Sequence, residues 1–489
     1  MRVFVAMKNL VLAWLAVLCA AVGVLGCGGG PTDETAAVAV AKTAAERAAI
    51  EFEGAYAIDA SPNGTVRSFD IVAAPAEHTL GEGKPVQVWA YNGTVPGPTL
   101  RVRLGETLRV HFTNALPQPT TIHWHGVRVP NAMDGVPDMT QPPVAPGESF
   151  VYEFTPKDAG TFWFHPHVRS SEQVERGLYG VLVVEDAEPA PYSRDVVWIV
   201  DDWRLDESGQ IDPRFNTRHD LAHDGRWGSL RTVNGRTNQS LAVQPGERIR
   251  LRLLNSANGR IVVPDFGGLP ARLIAVDGMY LREPIDAAGF ELAPGNRIDV
   301  DIVVDRSTSE VIDVVDRFSA RRNDVIARIV IDGEPVATPS FATPARGHVP
   351  TWAMGLEVPA HHAYRLNARA GGALGIEWTI DDRAFAGHAV HADHVADVVL
   401  QRGEFHRLRF VNESGRLHPI HLHGMFFRVL ARDGAAVDEP FFRDTVLVHP
   451  REAIDIGVVP TDLGAWMLHC HILEHAEAGM MTKLDVVVG

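Results

Sequence analysis

One short sequence pattern occurs three times in this 489-residue chain. It reads Gly-Glu-x-x-Arg-x-x-(Phe/Leu)-x-Asn and begins at Gly105, Gly246 and Gly403. Each copy places a turn before alternating apolar and polar residues, which predicts a half-buried β-strand. A pattern repeated at this spacing restricts the chain to an array of three similar units.

A second turn followed by a strand pattern comes after each copy, beginning at Pro146, Pro294 and Pro450. The 44 glycines and 32 prolines supply turns between short strands, and helical periodicity is weak, so β-sandwiches are favoured over helical folds. We therefore predict an all-β chain of three tandem Greek-key β-sandwich domains. The domains are expected at residues 51–190, 191–340 and 350–489.

Paired histidines lie at equivalent positions of the first and third repeats. One His-x-His pair begins nine residues after the repeated Asn, and a second begins five residues after a glycine of the later strand. The four pairs are His123 and His125, His165 and His167, His421 and His423, and His469 and His471. The second repeat has Pro264 and Phe266 where its first pair would lie, so we expect no metal ligands in the second domain.

Alternate residues of a β-strand face the same side, so each His-x-His pair presents two imidazoles side by side. Four pairs, related by an approximate two-fold axis between the first and third domains, are expected to converge into a cage of eight imidazoles. That donor set suits copper better than zinc, because structural zinc sites close at four ligands. Chance pairing of surface histidines is the alternative, but it does not explain four pairs at two repeated offsets.

A second set of metal-ligating residues surrounds Cys470. This residue lies between the two histidines of a pair and therefore points to the opposite face of its strand. His418 comes three residues before a pair and also points away from it, while His475 and Met480 follow Cys470 by five and ten residues. Two imidazoles, one thiolate and a weak axial thioether are the ligands of a blue-copper electron-transfer centre.

Only the third repeat carries this second set, because the first has Thr120 and Pro166 at the positions of the histidine and the cysteine. An electron that arrives at the Cys470 sulfur crosses one peptide unit to His469 or His471, on the order of 10 Å through covalent bonds. One site would therefore collect single electrons, and the other would hold several metal ions that act on one bound molecule.

The sequences His-x-His-Gly, His-Pro-His, His-Pro-Ile-His-Leu-His-Gly and His-Cys-His-x-x-x-His-x-x-x-x-Met resemble the four copper motifs of the multicopper oxidases, the laccase-like family. The resemblance covers about residues 80–489 and implies three cupredoxin-like domains with four copper ions. The type 1 ion would be bound by His418, Cys470, His475 and Met480. The type 2 ion would be bound by His123 and His421, and the type 3 pair by His125, His165, His167, His423, His469 and His471.

The resemblance also implies a reaction, in which four one-electron oxidations of a reductant at type 1 copper reduce O2 to two waters at the trinuclear cluster. Because this reduction consumes protons, acids are expected near the cluster. Asp134 and Glu474 match family positions and are the candidate catalytic residues. Alternatively, these two carboxylates only orient loops or ligating imidazoles.

The reductant is the least constrained part of the interpretation. Family members specialised for cuprous ion typically carry a methionine-rich insertion in the third domain, whereas the ten methionines of this chain form no such run. We therefore favour a laccase-like oxidase of phenols and aromatic amines. Oxidation of Cu(I), Fe(II) or Mn(II) in copper tolerance is the alternative, and a copper-sequestering envelope protein is the alternative outside enzymes.

The charge balance restricts the partners. With 45 Lys and Arg against 61 Asp and Glu, the net charge of -16 argues against a nucleic-acid ligand. The expected partners are O2 and a small reducing substrate, and we expect a monomer. A further cluster, His388, His391 and His394, is interpreted as solvated loop histidines, with an accessory metal or substrate site as the alternative.

The first 27 residues predict an export signal. Arg2 and Lys8 precede an apolar run, and the segment ending at Cys27 resembles a bacterial lipobox, in which the cysteine becomes the lipidated first residue. Plain secretion and an uncleaved anchor are the alternatives. Residues 28–50 are expected to form a tether, which places the protein in the cell envelope, periplasmic or attached to the outer membrane through the lipid on Cys27.

Overall fold

The computed structural model describes residues 43–53, 61–81, 83–188, 190–319, 324–341, 355–385 and 398–489. The predicted signal segment, its lipid site Cys27, most of the expected tether, and His388, His391 and His394 lie outside the described residues. None of the helices in the described part of the chain has the length and apolar character needed to cross a bilayer.

The first domain follows a short helix and contains two four-stranded sheets. The helix is α1 (Ala44–Glu53), and the strands are β1 (Val66–His78), β2 (Val86–Tyr91), β3 (Thr99–Arg103), β4 (Thr107–Asn114), β5 (His123–His125), β6 (Ser149–Phe154), β7 (Gly160–His165) and β8 (Gly180–Glu185). A 3-10 turn (Asn131–Met133) and helix α2 (Ser170–Glu175) interrupt the strands. The sheet orders are β2-β1-β4-β6 and β3-β8-β7-β5.

The second domain has a six-stranded and a four-stranded sheet. Its elements are β9 (Arg194–Trp203), α3 (Arg218–Ala222), β10 (Leu230–Val233), β11 (Gln239–Val243), β12 (Arg248–Asn255), β13 (Pro264–Asp265), β14 (Ala271–Val276), β15 (Met279–Asp286), β16 (Arg297–Val303), β17 (Glu310–Asp316) and β18 (Asp324–Ile331). The sheet orders are β10-β9-β12-β16-β14-β15 and β11-β18-β17-β13.

The third domain has a six-stranded and a five-stranded sheet. Its elements are β19 (His362–Ala370), β20 (Ile376–Ile380), β21 (Val398–Gln401), β22 (His406–Asn412), β23 (His418–Leu422), β24 (Phe427–Arg432), β25 (Ala435–Ala436), β26 (Thr445–Val448), β27 (Ala453–Val458), β28 (Gly464–Cys470), α4 (Leu473–Glu477) and β29 (Met481–Val487). The sheet orders are β20-β19-β22-β27-β24-β25 and β21-β29-β28-β23-β26. The predicted all-β cupredoxin-like class is confirmed.

The repeated pattern occupies the same place in each domain. It forms the strands β4, β12 and β22, each of which pairs in parallel with the first strand of its domain and antiparallel with the strand of the second pattern. The initial glycines Gly105, Gly246 and Gly403 all have φ between 79° and 88°, a conformation that side chains with a Cβ disfavour. The repeat is therefore a structural unit whose glycine is required by the turn.

Helix α1 lies between the first and third domains. Ala48 and Phe52 are buried in the core of the first domain, and the Phe52 ring packs edge-on against Phe405 and Phe442 at centroid distances of 4.9 and 5.4 Å. The segment expected to be a tether over residues 28–50 thus ends in a helix that packs on the folded body. Two side chains bury apolar area there, and one of them, Phe52, lies just after the expected tether.

Candidate metal centres

The four histidine pairs lie at the ends of two pairs of antiparallel strands. In the first domain β5 pairs with β7 so that His123 is opposite His165, and in the third β23 pairs with β28 so that His421 is opposite His469. The same register in both domains brings two pairs together within each sheet. The approximate two-fold relation predicted from the repeat is therefore present in the strand register.

All eight imidazoles converge between the first and third domains. Two stacked contacts cross the boundary: His123 lies on His423 with ring centroids 3.9 Å apart, and His125 lies on His421 at 3.7 Å. In each stack, the first histidine of a His-x-His pair from one domain lies on the second histidine of a pair from the other domain. Groups with ligand atoms within 4.8 Å of one another are His123, His421 and His423; His123, His125 and His165; and His167, His423 and His469.

Asp134 of the first domain contacts a histidine from each side of the cage. Its carbonyl oxygen accepts a hydrogen bond from His123 Nδ1 at 2.7 Å, and its carboxylate lies 2.9 Å from His423 Nδ1. Such contacts fix the orientation of an imidazole and leave its other nitrogen for a metal. The carboxylate is buried, and its Oδ1 atom has no hydrogen-bond partner.

Asp444 of the third domain makes the reciprocal contacts. Its carbonyl oxygen accepts from His421 Nδ1 at 3.0 Å, and its carboxylate lies 3.1 Å from His125 Nε2. Asp444 is not among the residues predicted from the sequence, because the two aspartates lie at different distances in sequence from their histidine pairs and the repeat does not align them. Their equivalence appears only when the two domains face each other.

Several ring nitrogens in the cage are buried without a partner. The unpartnered atoms are His123 Nε2, His125 Nδ1, His165 Nε2, His421 Nε2 and both nitrogens of His471. Each such atom would cost about 1–3 kcal/mol if nothing bound it. Apart from His471, each of these rings is held by a contact at its other nitrogen, which leaves one neutral nitrogen to bind a copper ion.

Burial also sets the protonation state of these rings. The pKa lies well below its usual value in His125, His165, His423 and His471, is lowered in His421, and is lowered to about 3 in His469. The main cause is removal from water, and repulsion by neighbouring imidazoles adds to it. These six rings are therefore neutral at pH 7, which is the form that ligates metals.

The second set of ligands forms a compact triad in the core of the third domain. Cys470 Sγ lies 3.6 Å from His418 Nδ1 and 3.8 Å from His475 Nδ1, and the two Nδ1 atoms are 3.3 Å apart. His418 Nε2 lies 2.8 Å from Ser414 Oγ, and His475 Nε2 donates to the carbonyl oxygen of His223 at 2.7 Å. Both rings therefore turn Nδ1 toward the sulfur.

The thiol of Cys470 is buried, and burial raises its pKa above the ordinary value. A bound cation offsets this cost, because a coordinating thiol is deprotonated by the metal. Met480 is buried in the same cluster, and its carbonyl oxygen accepts a hydrogen bond from the Cys470 amide at 3.0 Å. The set is that of a mononuclear copper site with Met480 as the predicted axial ligand.

Glu474 contacts the second domain through both of its carboxylate oxygens. Oε1 accepts from the Asn258 side chain at 2.7 Å, and Oε2 accepts from the Arg226 amide at 3.0 Å. The carboxyl is buried, and burial raises its pKa. These contacts suit a residue that orients helix α4, which follows His471 and contains His475. A role of Glu474 in proton delivery stays a prediction.

A small cavity of about 20 Å³ lies against the cage. It is lined by His165, His167, Ser170, His469, Leu473, Ala476, Glu477 and Met481. Burial raises the pKa of Glu477 to about 7. The sequence reasoning did not single out Glu477, although its position three residues after Glu474 on a short helix was a signal.

Comparison with known proteins agrees with this geometry. Three family models, each described as multicopper oxidase, match residues 73–189, 194–312 and 359–489. A multicopper oxidase of Mycobacterium tuberculosis is 30% identical over 85% of this chain and 86% of its own length.

Solved structures align over a similar extent. The crystal structure of a multicopper oxidase from Pseudomonas thermotolerans is 34% identical, with a TM-score of 0.77, over 86% of this chain and all of that one. One from Pseudomonas parafulva is 33% identical, with a TM-score of 0.76 and the same coverage.

Proposed function

The chain belongs to the multicopper oxidase family and is a copper-dependent oxidoreductase, and we propose that it couples four one-electron oxidations of a small reductant to the reduction of O2 to two waters. The observation that carries the proposal is the pairing of two centres on one strand. Cys470 belongs to the mononuclear triad, and the adjacent His469 belongs to the cage. Bound copper would supply the one-electron acceptor at the triad and the O2-reducing centre in the cage.

The chain itself provides the connection between the two centres. The Cys470 carbonyl oxygen accepts a hydrogen bond from His469 Nδ1 at 2.8 Å. The thiol and the cage imidazole are thus joined by the peptide bond and also by a hydrogen bond. Burial of Cys470, His469 and His471 excludes water along this connection.

Protons and O2 need a route to the cage from outside. The cavity beside His165 and His469 supports access at that side, and the half-buried residue Glu477 lines it. Asp134 has a buried oxygen without a hydrogen-bond partner within the described residues. These groups are better placed to exchange protons inside the site than Glu474, whose two oxygens each accept a hydrogen bond from the second domain.

Phenols and aromatic amines remain the proposed reductants, with a metal ion as the second candidate. Relatives with solved structures include one described as a laccase and one described as a metallo-oxidase, so membership of the family leaves both open. We propose that the protein is an exported monomer and that it is anchored to a membrane if Cys27 carries lipid. Its substrates would be the small reductant and O2.

A pair of surface histidines beside His475 favours a metal ion as the reductant. The outer nitrogen of His475 is covered by the His223 carbonyl oxygen, so a reductant approaching on that side meets the α3 segment of the second domain. Next to it His219 and His223 are exposed, and their rings stack with centroids 4.2 Å apart. Two adjacent imidazoles at the surface bind borderline metal ions such as Cu or Fe.

Oxygen consumption by the copper-loaded protein tests the function. We expect uptake with at least one of a phenol, an aromatic amine, Cu(I), Fe(II) and Mn(II), and no uptake by Cys470→Ser with the same donor. A wild-type protein that binds copper and consumes no O2 with any of the five donors would be a copper-sequestering protein instead.

The double variant His219→Ala/His223→Ala distinguishes the two classes of reductant. The contact to His475 comes from the His223 backbone, so alanine preserves it. If a metal ion is the substrate, the variant raises KM for that ion by roughly ten-fold while KM for the phenol changes less, the loss of one or two ligands being worth about 1–2 kcal/mol. Equal changes for both donors would contradict a metal site at this pair.

A further inference from the structure

A buried arginine of the second domain reaches the cage through Asp444. The Arg297 guanidinium donates from Nη1 to Asp444 Oδ1 at 3.0 Å and from Nη2 to Asp444 Oδ2 at 2.7 Å. Both side chains are fully buried. Two parallel hydrogen bonds of this kind fix both the position and the plane of a carboxylate.

The guanidinium is itself held from all three domains. Nε donates to the Thr161 carbonyl at 3.1 Å, Nη1 to the Gly295 carbonyl at 3.0 Å, and Nη2 to the Asp277 carbonyl at 2.9 Å. With the two bonds to Asp444, all five N–H groups of the arginine have an acceptor. A lysine could not reproduce this planar arrangement.

The backbone leaves space for the pair at one position. Gly126 follows the second histidine of its pair, and a Cβ there would lie 2.2 Å from Arg297 Nη2 and 2.4 Å from Asp444 Oδ2. The glycine of the His-x-His-Gly motif therefore makes room for the ion pair. Its φ of 81° is a second reason for glycine.

The ion pair breaks the two-fold symmetry of the cage. Asp134 and Asp444 each contact a histidine of the other domain. Among the described residues, however, Asp134 Oδ1 has no hydrogen-bond partner, whereas both oxygens of Asp444 bind Arg297. Arg297 thus fixes the carboxylate of Asp444 and not that of Asp134. An ion pair that served only to join the domains would not need to include Asp444 Oδ1, the atom that contacts the predicted ligand His125.

We propose that Arg297 is a positioning residue of the multinuclear copper site. By holding the Asp444 carboxylate, it fixes the ring of His125 so that Nδ1 faces the cage. This inference rests on the proposed copper binding and assigns the second domain, which has no ligand, a role in assembling the centre. Without Arg297, the Asp444 carboxylate loses its fixed plane. The His125 ring then loses one of two polar contacts at Nε2, the other being the Thr445 hydroxyl at 3.3 Å.

Copper content and spectra of Arg297→Met and Arg297→Lys test the proposal. We expect both variants to keep the blue absorbance of the Cys470 site per protein, while the copper affinity of the multinuclear site falls about 10–100-fold, the effect typical of lost partners of ligating residues. The near-ultraviolet absorbance of the type 3 pair, to which the resemblance assigns His125, should weaken, and lysine should restore less than half of the lost copper.

Arg248→Met is the matched control. Arg248 donates to both oxygens of Asp301 at 2.6 and 2.7 Å and is also buried, so the variant loses a comparable ion pair in the same domain. It should be less stable yet hold the full complement of copper.

The outcomes separate the two proposals. A full complement of copper with an unchanged absorbance of the type 3 pair in Arg297→Met overturns the positioning role. If that variant does not fold, the same result in Arg297→Lys overturns it. A wild-type protein without blue colour or bound copper would instead contradict the proposed function.

Discussion

At the residue scale, the repeated asparagine explains why one pattern recurs in three domains. Asn114, Asn255 and Asn412 are buried, and each side-chain amide donates to two or more carbonyls of two separate loops. One of those loops leads toward the first histidine pair, or toward its equivalent in the second domain. The asparagine therefore joins the two loops that carry these carbonyls. No other side chain of that size supplies two donors and an acceptor.

Asn255→Ala tests this role in the domain without copper ligands. The substitution removes hydrogen bonds to the Arg260 and Leu292 carbonyls at 2.7 and 2.8 Å and should lower the free energy of unfolding by about 2–4 kcal/mol. Denaturant unfolding measures the change. Asn63→Ala, at an exposed asparagine, is the control and should cost less than about 1 kcal/mol.

At the element scale, turns and helices of one domain complete the sites of another. The turn before β16 places Gly295 against the cage, where a Cβ would lie 2.9 Å from the His471 ring and 3.0 Å from the His125 ring. The α3 segment covers His475, and α1 packs between the first and third domains. The second domain therefore contributes contact surfaces, although it has none of the predicted copper ligands.

Gly295→Ala should disturb the multinuclear site and leave the mononuclear site intact. The added methyl group would press on two ligand rings, so we expect less copper in the cage at an unchanged blue absorbance. Gly289→Ala is the matched control, because its φ of 78° is also positive but nothing lies within 4 Å of its Cβ position. Equal copper loss in the two variants would mean that backbone strain, and not contact with the rings, is responsible.

Phe52→Ala tests the packing of helix α1. The ring is fully buried against Phe405 and Phe442, so its loss should lower the free energy of unfolding by about 3–5 kcal/mol. Ile50→Ala, at a side chain of the same helix that is 47% exposed, should change it by less than about 1 kcal/mol. A small effect at Phe52 would show that the helix adds nothing to the folded body.

At the scale of the whole molecule, copper is expected to stabilise the association of the first and third domains. The cage takes four imidazoles from each, and each domain's aspartate holds a histidine of the other. Ions bound there contact groups that come together only in the folded chain, so binding adds to folding stability.

Removal of copper should therefore lower the melting temperature of the protein. Calorimetry of the loaded, metal-free and Cys470→Ser proteins measures the change, and the Cys470→Ser protein, which keeps the cage, should retain most of the increase. If Cys470→Ser melts with the metal-free protein, the mononuclear site and not the cage provides the stabilisation.

The sequence alone determined the β class and the three repeats, and it predicted the histidines and the cysteine that the structure brings together in the cage and the triad. These inferences succeeded because they depend on local geometry. Alternation along a strand places His421 and His423 together and turns Cys470 away from His469, whatever surrounds the strand.

The tertiary structure decided which residues support those centres. Four groups reach the sites from the second and third domains, and no period in the sequence relates them to the histidines: Asp444, Gly295 and the His223 carbonyl in turns or loops, and Arg297 at the start of β16. The reason is physical: their contacts depend on how three sandwiches pack against one another. That packing also turned both oxygens of Glu474 toward the second domain and left an oxygen of Asp134 unpartnered in the cage.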